Sequence, residues 1–164
     1  MTTYYYCTPE WLAECAERAQ ENPKMTKALE KLTVNMAFRV KADPDLGIDK
    51  DIIFAAFGSK GKLERLDFIS EAEAQEKAEI ILAASPQQWT KLLRKESMFG
   101  GDVMSRKIAV EKGSITSVIR VAPYSGTFVD ALTQVDLIFP DEMSPEELEE
   151  YRDCINEFRL ELGV

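Results

Sequence analysis

Hydrophobic and polar positions alternate most clearly in TVNMAFRVKA, where Val34, Met36, Phe38 and Val40 fall on one side and Asn35, Arg39 and Lys41 on the other. A period of two predicts a strand with one wet face. After the turn cluster DPDLGID, the run DIIFAAF is apolar throughout, as an inner strand covered on both faces would be. GSKGK reads as a hairpin loop into LERLDFI, so three consecutive strands should form an antiparallel meander.

Helical spacing flanks this block. Thr8-Pro9-Glu10 is a helix start, followed by Trp11, Leu12, Cys15, Ala16 and Ala19 on one face. Asn22-Pro23 ends or kinks it, and a short second helix is expected from Lys24 to Leu32. Ser70 and Glu73 have capping-box spacing before the strand EIILAA, and Ser85, Pro86 and Gln88 repeat the device after it. The helix launched there carries Trp89, Leu92 and Leu93 on one face and Lys91, Arg94 and Lys95 on the other.

A Gly-containing loop with Met98, Phe99, Gly100, Gly101 and Met104 should follow, then a last strand around Ile108 and Val110. Gly113 can turn the chain at positive φ, and Ser114 can cap a helix bearing Ile115, Val118 and Ile119. Beyond Pro123, Tyr124 and Gly126 lies another apolar stripe, Phe128, Val129, Leu132 and Val135. Ser144, Pro145 and Glu147 open a C-terminal helix whose stripe is Leu148, Tyr151, Ile155, Phe158 and Leu162.

Composition narrows the chemistry. The 164 residues suit one domain. It divides into an N-terminal helical segment over 8–32, a core over 33–135 and an acidic helical extension over 136–164. No apolar run approaches the roughly 20 residues that span a bilayer, so an integral membrane protein is not expected. The opening MTTYYYCTPEW has neither the basic stretch nor the apolar core of a secretory signal, which points to the cytoplasm.

Three cysteines without metal spacing read as reduced thiols, and the absence of histidine excludes a histidine-based triad, a histidine-zinc site and an imidazole base. Of the net charge of −9, the segment from Asp136 onward holds −8, from ten acids against Arg152 and Arg159. With the body nearly neutral, binding to nucleic acid backbones is not expected. Glu71, Glu73, Glu76 and Glu79 read as a solvated helix face, and Gly100-Gly101 lacks the Gly-Lys-Ser/Thr ending of a phosphate loop. No catalytic residue, metal ligand or cofactor is assigned.

The ordered set MAFRVKADPDLGIDKDIIFAAF, AEIILAASPQQWTKLL and VMSRKIAVEKGSITSVIRV resembles the sterol-carrier-protein, or nonspecific lipid-transfer, domain family over about Val34 to Leu132. Two places depart from its pattern: Ser105-Arg106-Lys107 where Ser-Gly-Lys is frequent, and Lys112-Gly113-Ser114 where Lys-Gly-Asn or Lys-Gly-Asp is. The resemblance implies an α+β fold, a five-stranded, mainly antiparallel sheet with helices on one face, here with extra N- and C-terminal helices. It also implies an apolar tunnel between the layers and a noncatalytic carrier of a fatty acid, fatty acyl-CoA or sterol-like molecule.

The residues expected along that tunnel are Phe54, Trp89, Met98, Phe99, Met104, Ile115, Val118, Ile119, Phe128 and Leu132. Within the basic neighbourhood of Lys91, Arg94, Lys95, Arg106 and Lys107, Arg94 and Arg106 are the candidates for an anionic head. The same apolar spacing would serve a filled core, in which case the protein is an interaction module that partners a separate enzyme. An enzyme that assists turnover of a bound lipid is a third reading. The C-terminal stripe is open to three roles: a lid, a homodimer seal or an extension of the core.

Overall fold

The alternating stretch is strand β2 (Val34–Val40), the fully apolar run is β3 (Ile52–Ser59) and the third is β4 (Lys62–Ile69), each antiparallel to the next. The computed structural model describes residues 2–164. Ahead of β2 lie β1 (Thr3–Tyr5), α1 (Pro9–Gln20) and α2 (Pro23–Ala28). After β4 come α3 (Glu71–Lys77), β5 (Ile80–Ala84), α4 (Pro86–Leu93), α5 (Phe99–Met104), β6 (Ala109–Lys112), α6 (Ile115–Val121), α7 (Ser125–Leu132), β7 (Asp136–Ile138) and α8 (Pro145–Leu162).

The main sheet has five strands in the order β4-β3-β2-β5-β6, antiparallel except where β5 runs parallel to β2. The expected meander and mixed sheet are therefore present. Side chains sort by the pleat. Met36, Phe38, Ile52, Phe54, Ile80 and Leu82 face the layer that holds α1, α4, α7 and α8. Ala37, Ile53, Ala55, Phe57 and Ile81 face the other way and pack with Ala74 of α3 and with Ala78, which follows it. Thus one helix also covers the second face, where Arg39 forms ion pairs with Asp51, Glu71 and Glu111.

Caps set several helix starts. Ser70, Ser85, Ser114 and Ser144 each accept a hydrogen bond from the backbone N–H three residues on, and Ser144 with Glu147 completes a capping box. Gln88 does not reach back to Ser85; it donates to Ser97 instead. Thr8 precedes α1, but its hydroxyl donates to the Tyr5 carbonyl. Asn22 caps α2, which ends at Ala28, short of the expected Leu32.

Two segments differ more. Gly100 and Gly101 lie inside α5, so the expected loop is a short helix with an exposed glycine edge. Strands β1 and β7 pair in parallel outside the main sheet, and the Tyr6 N–H extends the pairing to Ile138 O at 3.0 Å. At three residues each, their alternation is too brief to stand out in the sequence.

The β3–β4 connection is a two-residue turn with Lys60 and Gly61 both at positive φ, 51° and 83°. The backbone of α2 rests on it. A Cβ on Gly61 would lie 2.3 Å from Thr26 O and 2.9 Å from Glu30 N. Gly61→Ala should therefore lower stability by about 2 kcal/mol or more, from left-handed strain together with the displaced helix. Urea denaturation measures it, and an unchanged midpoint would show that α2 is not seated on the turn.

Candidate functional site

Large rings on the helix-covered face meet edge to face or offset. Phe38 stacks on Phe54 with centroids 5.1 Å apart, and Trp89 meets Phe38 edge-on at 5.9 Å. Trp11 meets Phe54 at 5.7 Å, and Tyr6 lies 5.3 Å from Trp11. Hydrogen bonds hold both indoles: Trp89 donates to Arg39 O, and Trp11 donates to Leu132 O, each at 2.9 Å. Rings fixed in this way cannot collapse into the remaining space.

That space comprises three neighbouring apolar cavities. The first lies between β2, β3, α4, α5 and α7, with Phe54, Trp89, Phe99, Phe128 and Leu132 in its wall and Tyr6 as well. The second and third lie toward α2 and the Gly61 turn, bounded by Leu29, Ala56 and Leu63 among others. Their volumes are about 50, 50 and 60 Å³, each more than a single water needs. Phe128, half-buried on α7, lines all three, so the three apolar spaces meet at one ring.

The first cavity adjoins the surface. Leu92, Phe99, Ser125 and Val129 border both it and a wide surface groove between the α4–α5 and α6–α7 segments. These four residues form a neck. The groove adds Met98, Gly100, Ile119 and Pro123, and Lys95 at its rim pairs with Asp130 at 2.9 Å.

Of the residues expected along a tunnel, Phe54, Trp89, Phe99, Phe128 and Leu132 lie on the first cavity, and Met98 and Ile119 lie outside, on the groove. Met104 and Ile115 are 87% and 70% exposed and touch neither. Val118 is buried but borders none of these spaces. Met104 ends the short helix α5 on its exposed side, whereas α6 is apolar over more than one face and turns Val118 and Val121 inward while Ile115 points to solvent. Met36, Phe38, Leu92, Leu93 and Val129 are cavity residues that the sequence presented only as core stripes, and Tyr6 gave no signal at all.

Neither arginine is placed for an anionic head. Arg94 pairs with Asp141 and Glu142, and its guanidinium lies 4.7 Å from the Phe139 ring centre. Arg106 is exposed and borders none of the cavities or the groove. The first cavity has no charged residue in its wall.

The C-terminal helix seals the opposite end. Tyr151, Ile155 and Phe158 are buried, the Tyr151 hydroxyl donates to Tyr6 O, and Phe158 lies 5.0 Å from Phe68. Arg152 pairs with Asp49, and Arg159 donates to Lys50 O and Asp51 O. No α8 residue borders the cavities or the groove, so α8 extends the core and is not placed as a lid; Leu162 is half exposed.

No protein-family model and no curated protein sequence matches the chain. Solved structures do. A crystal structure of sterol carrier protein 2 superposes with a TM-score of 0.68 at 19% identity, over 78% of this chain and 97% of that one. The fold is that of the sterol carrier proteins. The solution structure of a conserved hypothetical protein from Thermus thermophilus, described as a possible sterol carrier protein, gives 0.70 at 19% identity over 80% and 90%. Apo sterol carrier protein 2 from Yarrowia lipolytica gives 0.50 at 16% identity over 73% and 87%.

Within this sterol-carrier fold, no group of three or more potential metal ligands occurs among the described residues. No described helix is long and apolar enough to cross a membrane. Burial pushes the Cys7 and Cys15 thiols up to about 12, and it raises Tyr6 and Tyr151 well above the usual phenol value.

Two measurements follow from this arrangement. Phe158→Ala should cost about 3 to 5 kcal/mol of stability while leaving apolar-probe affinity unchanged, because α8 braces the closed end; a loss of affinity without a loss of stability would make α8 part of the site. Cys7 and Cys15 have folded pKa values raised above an ordinary value of 9.0. The unfolded chain therefore loses these protons first, and stability should be full below about pH 9 and decline as the pH rises toward 12. Urea titrations from pH 7 to 11 would show the decline, and a flat profile counters it.

Proposed function

We propose that the protein is a noncatalytic carrier that holds a lipid or another hydrophobic molecule between its sheet and helices. The observation that carries this reading is the set of adjoining apolar cavities, walled by fixed aromatic rings, meeting at Phe128 and bordered toward the groove by Leu92, Phe99, Ser125 and Val129. A solid core would leave no such space. The likeness to sterol carrier protein 2 supports the same reading, since that name describes a carrier of sterols.

A ligand enters from the groove, passes the neck and displaces the Phe128 ring, so that the three separate spaces become one. Its free energy of binding comes from apolar surface removed from water, about 25 cal/mol per Å². No bond to it is made or broken, and the wall of the first cavity offers no acid, base or nucleophile beyond the Tyr6 and Ser125 hydroxyls. The ligand class proposed for this apolar space is sterol-like or fatty-acyl. The unpaired cysteines suit a reducing compartment inside the cell.

Native mass spectrometry of protein purified from cells should show a retained ligand at one-to-one stoichiometry that organic solvent releases. Phe128→Trp, which fills the junction of the three spaces, should lower that occupancy severalfold without unfolding the protein. A ligand-free protein that binds no apolar probe would overturn the carrier reading, and a stable complex with a second protein in its place would favour the interaction module.

A further inference from the structure

Among buried side-chain nitrogen and oxygen atoms of the described residues, one lacks a hydrogen-bond partner: the Tyr6 hydroxyl. Tyr6 is fully buried and lines the first cavity, whose wall is otherwise almost entirely apolar. An unpaired buried donor is costly, and natural structures retain few of them.

Every other part of Tyr6 is fixed. Its N–H donates to Ile138 O, its carbonyl accepts from the Tyr151 hydroxyl, and its ring lies between Trp11 and Phe139, 5.3 and 5.5 Å away. Cys7, at φ 63°, and the Thr8 hydroxyl bound to Tyr5 O turn the chain directly after it into α1. The hydroxyl is thus held in place without a protein partner, on a residue that lines an apolar cavity.

We propose that the Tyr6 hydroxyl is the polar anchor of the binding site and donates a hydrogen bond to a single oxygen acceptor on an otherwise apolar, uncharged ligand. This rests on the carrier reading and narrows its ligand class to ketones, esters, alcohols or ethers on a hydrocarbon body. A carboxylate at this anchor is disfavoured, because no cation lines the first cavity, Lys62 borders only the second, and a buried uncompensated charge is expensive. The remaining hydroxyl in the wall, on Ser125, lies at the neck and also borders the groove, so it does not serve the deep end. Burial holds the Tyr6 phenol protonated, as a donor must be.

The test uses three shape-related fluorescent probes on the full chain: 1-acetylpyrene, 1-ethylpyrene and 1-pyrenecarboxylate at pH 8. The wild type should bind the ketone and the hydrocarbon one to one and the carboxylate at least tenfold more weakly. Tyr6→Phe should weaken acetylpyrene by about threefold to tenfold, the worth of one net hydrogen bond, and shift ethylpyrene by less than twofold. In the infrared, the carbonyl stretch of acetylpyrene bound to wild type should be displaced to lower frequency relative to hexane. The displacement should disappear in Tyr6→Phe and persist in Ser125→Ala.

If ketone and hydrocarbon both bind and Tyr6→Phe treats them alike, the anchor is wrong while the carrier reading stands. If neither binds the wild type up to its solubility limit, both fall. Should Tyr6→Phe fail to fold, the wild-type spectrum decides, and an undisplaced carbonyl stretch overturns the anchor.

Discussion

Strand β3 is apolar on both faces, and the rest of the architecture answers that constraint. Ile52 and Phe54 point one way, Ile53, Ala55 and Phe57 the other, and none of these side chains can be left in water without forfeiting about 1.5 to 3 kcal/mol for each large one. The strand is flanked by β2 and β4, and each face is then covered by helices. On the Ile53 side, small residues at 37, 55, 74 and 78 let α3 approach closely, and the layer fills. On the Phe54 side the residues are large and ring-shaped, and the layer does not fill.

The cavities follow from that difference. Offset and edge-on rings cannot interdigitate as densely as branched aliphatic chains, and the two tryptophans cannot rotate to compensate while their indole N–H groups are bonded to Arg39 O and Leu132 O. Phe38 and Phe54 are cross-strand partners in the β2–β3 register, so they cannot separate either. The void is therefore built into the strand pairing, and the ring it shares with the neighbouring spaces is Phe128 on α7.

Much of the frame was legible because it rests on local chemistry. The period-two stretch at Val34–Val40, the Lys60-Gly61 hairpin, the serine caps and the Gly113 turn each depend on a few adjacent residues. Gly113 shows how local the signal is: at φ 108°, with a Cβ position only 3.1 Å from Glu79 O, the chain accepts little else there. The site was less legible. Helical spacing identified Trp89, Phe128 and Leu132 but could not tell which face of α6 turns inward, since Ile115, Val118, Ile119 and Val121 are all apolar. Tyr6 was invisible because its environment is assembled from β7, α1 and α8, which are distant in sequence and joined only in three dimensions.

The two ends of the helical layer differ in how firmly they are tied, and that difference gives a carrier its direction of exchange. At the closed end, α8 is 18 residues long, enters through a capping box, buries Tyr151, Ile155 and Phe158, and is bonded to the β2–β3 connection by Arg152 and Arg159. At the open end, α5 and α6 have six and seven residues, below the length at which helices are stable by themselves, and α5 contains two exposed glycines. Local opening is least costly where buried contacts are few and the backbone is exposed. On the carrier reading proposed above, a ligand would leave between α5 and α7 while the β1–β7 pair, α1 and α8 hold the aromatic wall in place. An anchor fixed at Tyr6, inside the end that does not move, keeps the polar group of the cargo in register while its apolar remainder passes the neck.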